Sequence, residues 1–195
     1  MDGFLLYHCS MTNHEKIREL LEKLEKTEAE LYRELDKGVE KLACDFSAEK
    51  IPLLRYILEG NKRYALSAPI IYAMIIPAVV MDLFVSFYQW TCFPLYGIPK
   101  VKRRDYIAID RHRLTYLNLL QKLNCVYCGY FNGLVAYVRE ISARTEQFWC
   151  PIRHARRLRS VHRHYRYFLP YGDGEALDER WEKLREKLRK EKEEA

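Results

Sequence analysis

No glycine-rich phosphate loop and no Gly-x-Ser-x-Gly elbow occur in this chain. That removes the P-loop nucleotide hydrolases and the serine-hydrolase elbow from consideration. No Glu-x-x-His pair occurs on a helical segment either, which weakens a di-iron carboxylate reading. Strand-period runs and internal repeats are absent, so an all-α architecture is expected. The N-terminus lacks the basic, apolar, small-residue order of a signal peptide, since Phe4-Leu5-Leu6-Tyr7 is only a short patch ahead of a charged helix. Without that signal, the six cysteines are expected to be reduced thiols rather than a disulfide framework. A large excess of one sign of charge is also missing. There are 33 Lys and Arg against 27 Asp and Glu, a net charge of +6, and the excess lies between Pro99 and Arg166. This is a local basic feature, not a nucleic-acid signature of the whole chain.

What is present is unevenly distributed. Hydrophobic residues make up 49% of the chain, yet the mean hydropathy is −0.37. The two values agree only if apolar residues gather in the middle and charge at the ends. Thr12 to Glu15 reads as a capping box that opens a helix to about Cys44. Its seam of Ile17, Leu21, Leu24, Leu31, Leu35 and Leu42 is interrupted by Glu28 and Gly38, a spacing suited to a coiled coil or helical hairpin. A second short helix is expected over Ala48–Glu59, stopped by Gly60. Residues 1–60 thus form one helical region.

Residues 61–99 form a hydrophobic segment in which the stretch from Ser67 to Ile98 carries no charge except Asp82. A bilayer span needs about 20 predominantly apolar residues, so Ala68 to Leu95 suffices as an anchor. Pro69, Pro77, Pro94 and Pro99 argue against one straight helix. Basic residues flank both ends: Arg55, Lys62 and Arg63 before it, and Lys100, Lys102, Arg103 and Arg104 after it. The positive-inside rule would hold both ends in the cytoplasm, which a re-entrant or in-plane hairpin kinked at Pro77 satisfies better than a single crossing. The cysteine region is expected to face the cytoplasm. Asp82 must pair, protonate or face another helix.

Residues 100–173 form a cysteine-containing helical domain. One helix is expected over Tyr106–Leu123, a second over Asn132–Trp149 after a turn at Asn132-Gly133, and a short basic helix over Ile152–Leu158. Cys125 and Cys128 are a Cys-x-x-Cys pair, and Cys150-Pro-Ile-Arg-His154 follows. Three thiolates and an imidazole suit tetrahedral zinc or iron. The proposed ligands are Cys125, Cys128, Cys150 and His154. A straight helix from Gly133 to Phe148 would separate the two half-sites by about 24 Å, so closure needs a broken helix or a site shared between subunits. Arg139, Glu140, Arg144 and Glu146, together with Asp82, are candidates for a polar site, as acid–base groups or, more simply, as a salt-bridge network. Arg103, Arg104, Arg156, Arg157 and Arg159 are expected to contact anionic headgroups. Nucleic acid is the lesser partner. Residues 174–195 form a charged C-terminal helix with Leu177, Trp181, Leu184 and Leu188 as its apolar stripe.

The runs from Ala68 to Ile107, from Asn124 to Arg157 and from Tyr165 to Asp173 resemble a group of bacterial membrane-associated proteins without an assigned activity. The resemblance covers roughly Pro52 to Asp173. It implies an inner-membrane protein and no catalytic residue. Cys125-Val-Tyr-Cys128-Gly-Tyr130 also resembles the metal knuckle of rubredoxins and zinc ribbons, although Cys150-Pro-Ile-Arg-His154 departs from the counterpart knuckle. The expectation is therefore a membrane-associated helical bundle with a Cys3His zinc or iron site. Two alternatives stand beside it: a metal-free membrane scaffold that oligomerises through its terminal helices, and a membrane-bound thiol or iron oxidoreductase.

Overall fold

The computed structural model describes residues 16, 19–20, 22–24, 26–38, 52–58 and 62–190. The chain divides into two compact units, Met1–Glu49 and Lys50–Ala195. In the first unit, residues 26–38 are helical. Leu24, Leu31 and Leu35 are 53–58% exposed there. The capping box at Thr12 and the positions Ile17, Leu21 and Leu42 lie outside the described residues or side chains, as does Gly60.

The second unit is helical, with no strand among the described residues and one isolated parallel bridge between Ile152 and Leu169. Helix α1 is Leu53–Leu58, α2 is Lys62–Ala73, α3 is Ile75–Tyr96, α4 is Leu119–Trp149 and α5 is Leu177–Lys190. The apolar segment is thus two helices that meet at Met74. Pro77 falls in the first turn of α3, where its missing amide hydrogen costs no intrahelical bond. Pro94 lies near the other end of α3, and Gly97 closes the helix at φ 69°. The Gly97 N–H donates to Pro94 O at 3.2 Å, and the next amide, Ile98, donates to Phe93 O at 3.1 Å. A left-handed glycine with paired amides of this kind is a common helix stop.

Three expectations for residues 100–158 are corrected. Tyr106–Leu123 is not one helix: residues 106–118 belong to an extended return segment with short 3-10 turns at Arg103–Asp105 and Arg111–Arg113, and only Leu119–Leu123 is helical, as the start of α4. No turn occurs at Asn132-Gly133, because α4 runs unbroken through both. It is 31 residues long and is opened by a reciprocal capping box between Asn118 and Gln121, which satisfies amides that a helix start leaves open. Residues 152–158 form no helix. Instead Arg153 N donates to Leu169 O and Leu169 N to Pro151 O, both at 2.8 Å.

The consecutive helices α2 and α3 run beside α4 in the same direction. Tyr127 OH donates to Ile71 O at 2.7 Å near one end, Tyr130 OH to Asp82 at 2.8 Å in the middle, and Tyr96 stacks on Phe148 with centroids 4.9 Å apart at the other end. Parallel neighbours need a long connection, which the 97–118 return supplies. It threads back beside both helices, so close to α4 that a Cβ added at Gly133 would lie 2.6 Å from Tyr106 O. Glycine is required there by the approach of a second backbone.

Helix α5 closes the far end. Leu188 is fully buried. Trp181 Nε1 and Arg185 Nε both donate to Phe148 O at 2.9 Å, satisfying a carbonyl that the end of α4 leaves open. The apolar stripe read from sequence is therefore covered within its own chain.

Candidate functional site

Positions 140, 144 and 147 share one face of α4 at helical spacing, and there the helix carries Glu140, Arg144 and Gln147. Glu140 is 7% exposed. One of its oxygens, Oε1, accepts from Arg144 Nε at 2.9 Å, Arg163 Nη2 at 2.7 Å and, when the ring is protonated there, His164 Nε2 at 3.1 Å. Arg144 also donates to Pro99 O at 2.9 Å. Gln147 donates its amide to Leu184 O at 3.1 Å, so its oxygen faces His164 Nδ1 at 2.6 Å. The ring is 2% exposed, and its Nε2 also lies 3.4 Å from Arg163 Nε, which donates to it.

Burial alone would raise the Glu140 carboxyl. The hydrogen bond and charge of His164, with Arg163 and Arg144, outweigh burial and hold it far below the usual carboxylate range. A carboxylate so stabilised is a poor proton acceptor near neutral pH. The cluster is an anchor that ties the 150–169 segment, the return segment and α5 to α4. Glu146 adds a second tie to His162 Nε2 at 2.8 Å. Arg139 adds a third, donating to Ser160 Oγ at 3.1 Å and to Val161 O.

Asp82 lies apart from this cluster, so the five polar positions read from sequence divide among separate networks. It is 8% exposed on the inner face of α3. Arg103 and Tyr130 donate to its carboxylate, and Ser86 Oγ does so at 3.3 Å. Two turns on, Gln89 accepts from Val101 N at 2.6 Å and donates to Tyr137 OH at 2.9 Å. Gln89, Gln147, Arg163 and His164 were missed from sequence. For Gln89 the signal was available, because Asp82, Ser86 and Gln89 recur at helical spacing in an otherwise apolar run. For Arg163 and His164 there was none, since nothing local places them against α4.

The four proposed metal ligands are not brought together within one chain. Cys125 is half-buried and Cys128 exposed near the start of α4, while Cys150 is exposed beyond its end. Unbroken helix separates Cys128 from Cys150. At the helical rise per residue that is a distance of about 33 Å. No three metal-ligating side chains converge among the described residues. His154 packs on Tyr165, with Nδ1 3.3 Å from the phenol oxygen. Of the basic positions, Arg103 pairs with Asp82. Arg104, Arg156, Arg157 and Arg159 are exposed. No family model, curated protein or solved structure matches the chain.

Proposed function

We propose that this protein is a membrane-associated helical scaffold, held in the plane of the lipid interface by the outer face of α2 and α3. One observation carries the reading. Ile76, Val80, Leu83, Phe87 and Trp90 form a stripe along α3 that is 47–67% exposed, continued on α2 by Leu66 and Ile70. Ala78, Asp82, Gln89 and Phe93 on the opposite side are buried against the rest of the unit. Residues 65–96 are long and apolar enough to cross a bilayer.

The company α3 keeps argues against a crossing. At its midpoint Asp82 holds Arg103 of the non-helical return segment. Arg104 and Asp105 beside it are 84% and 55% exposed. A crossing would set irregular backbone and exposed charges in hydrocarbon, where lipid-exposed loops do not occur and each charge costs about 3 kcal/mol even on insertion scales. Lying in the interface, the same molecule buries only the stripe and keeps those charges in water or among headgroups. The basic flank Lys100 to Arg104 favours the cytoplasmic side of a bacterial inner membrane and an anionic leaflet.

Vesicle flotation tests this. The purified full chain is expected to float with phosphatidylglycerol-containing vesicles, and a Leu83→Ser, Phe87→Ser, Trp90→Ser variant of unchanged helicity is expected to stay at the bottom. Equal flotation of the variant, or none by the parent, would contradict the reading.

A further inference from the structure

Three thiols lie on one side of α4, at its two ends; Cys128 and Cys150 are exposed and Cys125 is half-buried, while Ala143 between them is covered by the chain itself. At about 100° per residue, the 25 positions from Cys125 to Cys150 return to within about 20° of the same direction, and Cys128 falls about 60° to one side. Leu134, Tyr137 and Ile141, which pack into the core, lie on the opposite side of the helix. Each end carries two of the four donor residues that a tetrahedral shell needs. Cys125 and Cys128 stand one turn apart, the spacing at which two side chains on a helix meet. Cys150 and His154, four positions apart beyond the end of the helix, are the other two donors. His154 has its ring stacked on Tyr165 with centroids 6.0 Å apart. Its backbone N–H donates to the phenol oxygen at 2.7 Å. With Nδ1 facing that same phenol, Nε2 is the nitrogen left to bind, and holding the other ring nitrogen in this way is how metal-binding histidines are oriented.

We infer that two copies of this chain pair antiparallel along α4, so that Cys125 and Cys128 of one and Cys150 and His154 of the other enclose a zinc ion at each end. Antiparallel pairing about a two-fold axis brings each half-site to its complement and makes both sites identical. The length of helix that keeps the halves apart in one chain becomes the distance between two sites in the pair. The middle of this side is crossed by the 155–161 segment, held by Arg139 through Ser160 and Val161. Contact is therefore concentrated at the ends. Four protein ligands close the shell, which makes the ion structural and leaves no position for substrate. Each bound zinc displaces three thiol protons to solvent. A site of one divalent ion and three thiolates has a net charge of −1, and the exposed Arg156 and Arg157 beside His154 offset it.

The test is complementation in detergent, with the full chain, and it does not depend on vesicle binding. The parent is expected to hold one zinc per chain as a dimer and to become monomeric on chelation. A Cys125→Ser, Cys128→Ser variant and a Cys150→Ser variant are each expected to bind no zinc and remain monomeric. Mixed, they are expected to form a dimer holding one zinc, because one end then has all four ligands. A Cys92→Ser variant, altered outside the site, is expected to match the parent. Zinc held by a monomer, zinc retained by either site variant alone, a mixture that fails to bind while both variants keep parental helicity, or a parent that takes up no zinc would each overturn the inference.

Discussion

Arg103 reaches back 21 positions to the carboxylate of Asp82, to which Tyr130 of α4 also donates at 2.8 Å. One buried carboxylate thus joins α3, the return segment and α4. It also explains how an apolar helix tolerates an acid: Asp82 is on the side of α3 that faces protein.

Replacing Asp82 with Asn is expected to destabilise the second unit by about 2 kcal/mol, less than the roughly 3–5 kcal/mol lost when a fully buried pair is broken. The loss is smaller because the Arg103 side chain is 45% exposed and solvent screens the pair. Urea unfolding in mild detergent measures it. Combined with Tyr130→Phe the two effects should be less than additive, since both remove partners of one carboxylate. Strict additivity would contradict a shared network.

Gly133→Ala reads the return segment directly. In a helix interior Ala is normally better than Gly by about 1 kcal/mol. Here the new Cβ would meet Tyr106 O at 2.6 Å and Ile107 Cα at 2.8 Å, both backbone atoms. The variant should lose about 1–3 kcal/mol instead, as overpacked positions do. Gly129→Ala, whose Cβ would lie 2.9 Å from Ala108 O, should lose less. A stabilised Gly133→Ala protein would show that the two backbones are not in contact.

Glu140 gives a pH dependence of known sign. Burial opposes its charge, but His164, Arg163 and Arg144 prevail and depress the folded-state pKa. The stability it contributes is complete above the unfolded carboxyl range, about 4.3, and is lost as pH falls through and below it. The Glu140 contribution to thermal stability should therefore decline steeply below about pH 5. Glu140→Gln should flatten that decline, and at neutral pH it should cost about 3 kcal/mol by leaving the buried Arg144 without a counter-charge. Equal acid slopes in parent and variant would remove Glu140 from this role.

Helix content was legible because apolar spacing reports it locally. The stripe Leu177, Trp181, Leu184 and Leu188 does form one side of α5, and the charge-free run does become α2 and α3. What failed was everything set by a distant partner. Asn132-Gly133 carries the composition of a turn, yet Gly133 is helical and small because Tyr106 crosses over it. Tyr106–Leu123 has helical spacing of leucines, yet parallel packing of α3 and α4 demands an extended return over residues 106–118, and only Leu119–Leu123 is helical. The candidate polar site was legible as residue types and not as a constellation, because His164 and Arg163 reach Glu140 from more than 20 positions away. The cysteines were visible in sequence. Their separation depended on whether α4 breaks, which composition does not decide.

Truncating Leu188, which is fully buried, to Ala should cost about 3 kcal/mol, within the range for core leucines. If α5 were a loose extension, the change would be close to neutral.

The most direct test of in-plane attachment is the depth of the middle of α3 in a bilayer. A Phe87→Trp fluorophore in a Trp90→Phe background is read with lipids brominated near the headgroup or near the chain ends, after subtraction of the Trp90→Phe parent signal. Stronger quenching by the shallow label is the result expected of a helix lying in the interface. Stronger quenching by the deep label would place Phe87 at the bilayer centre and contradict the account.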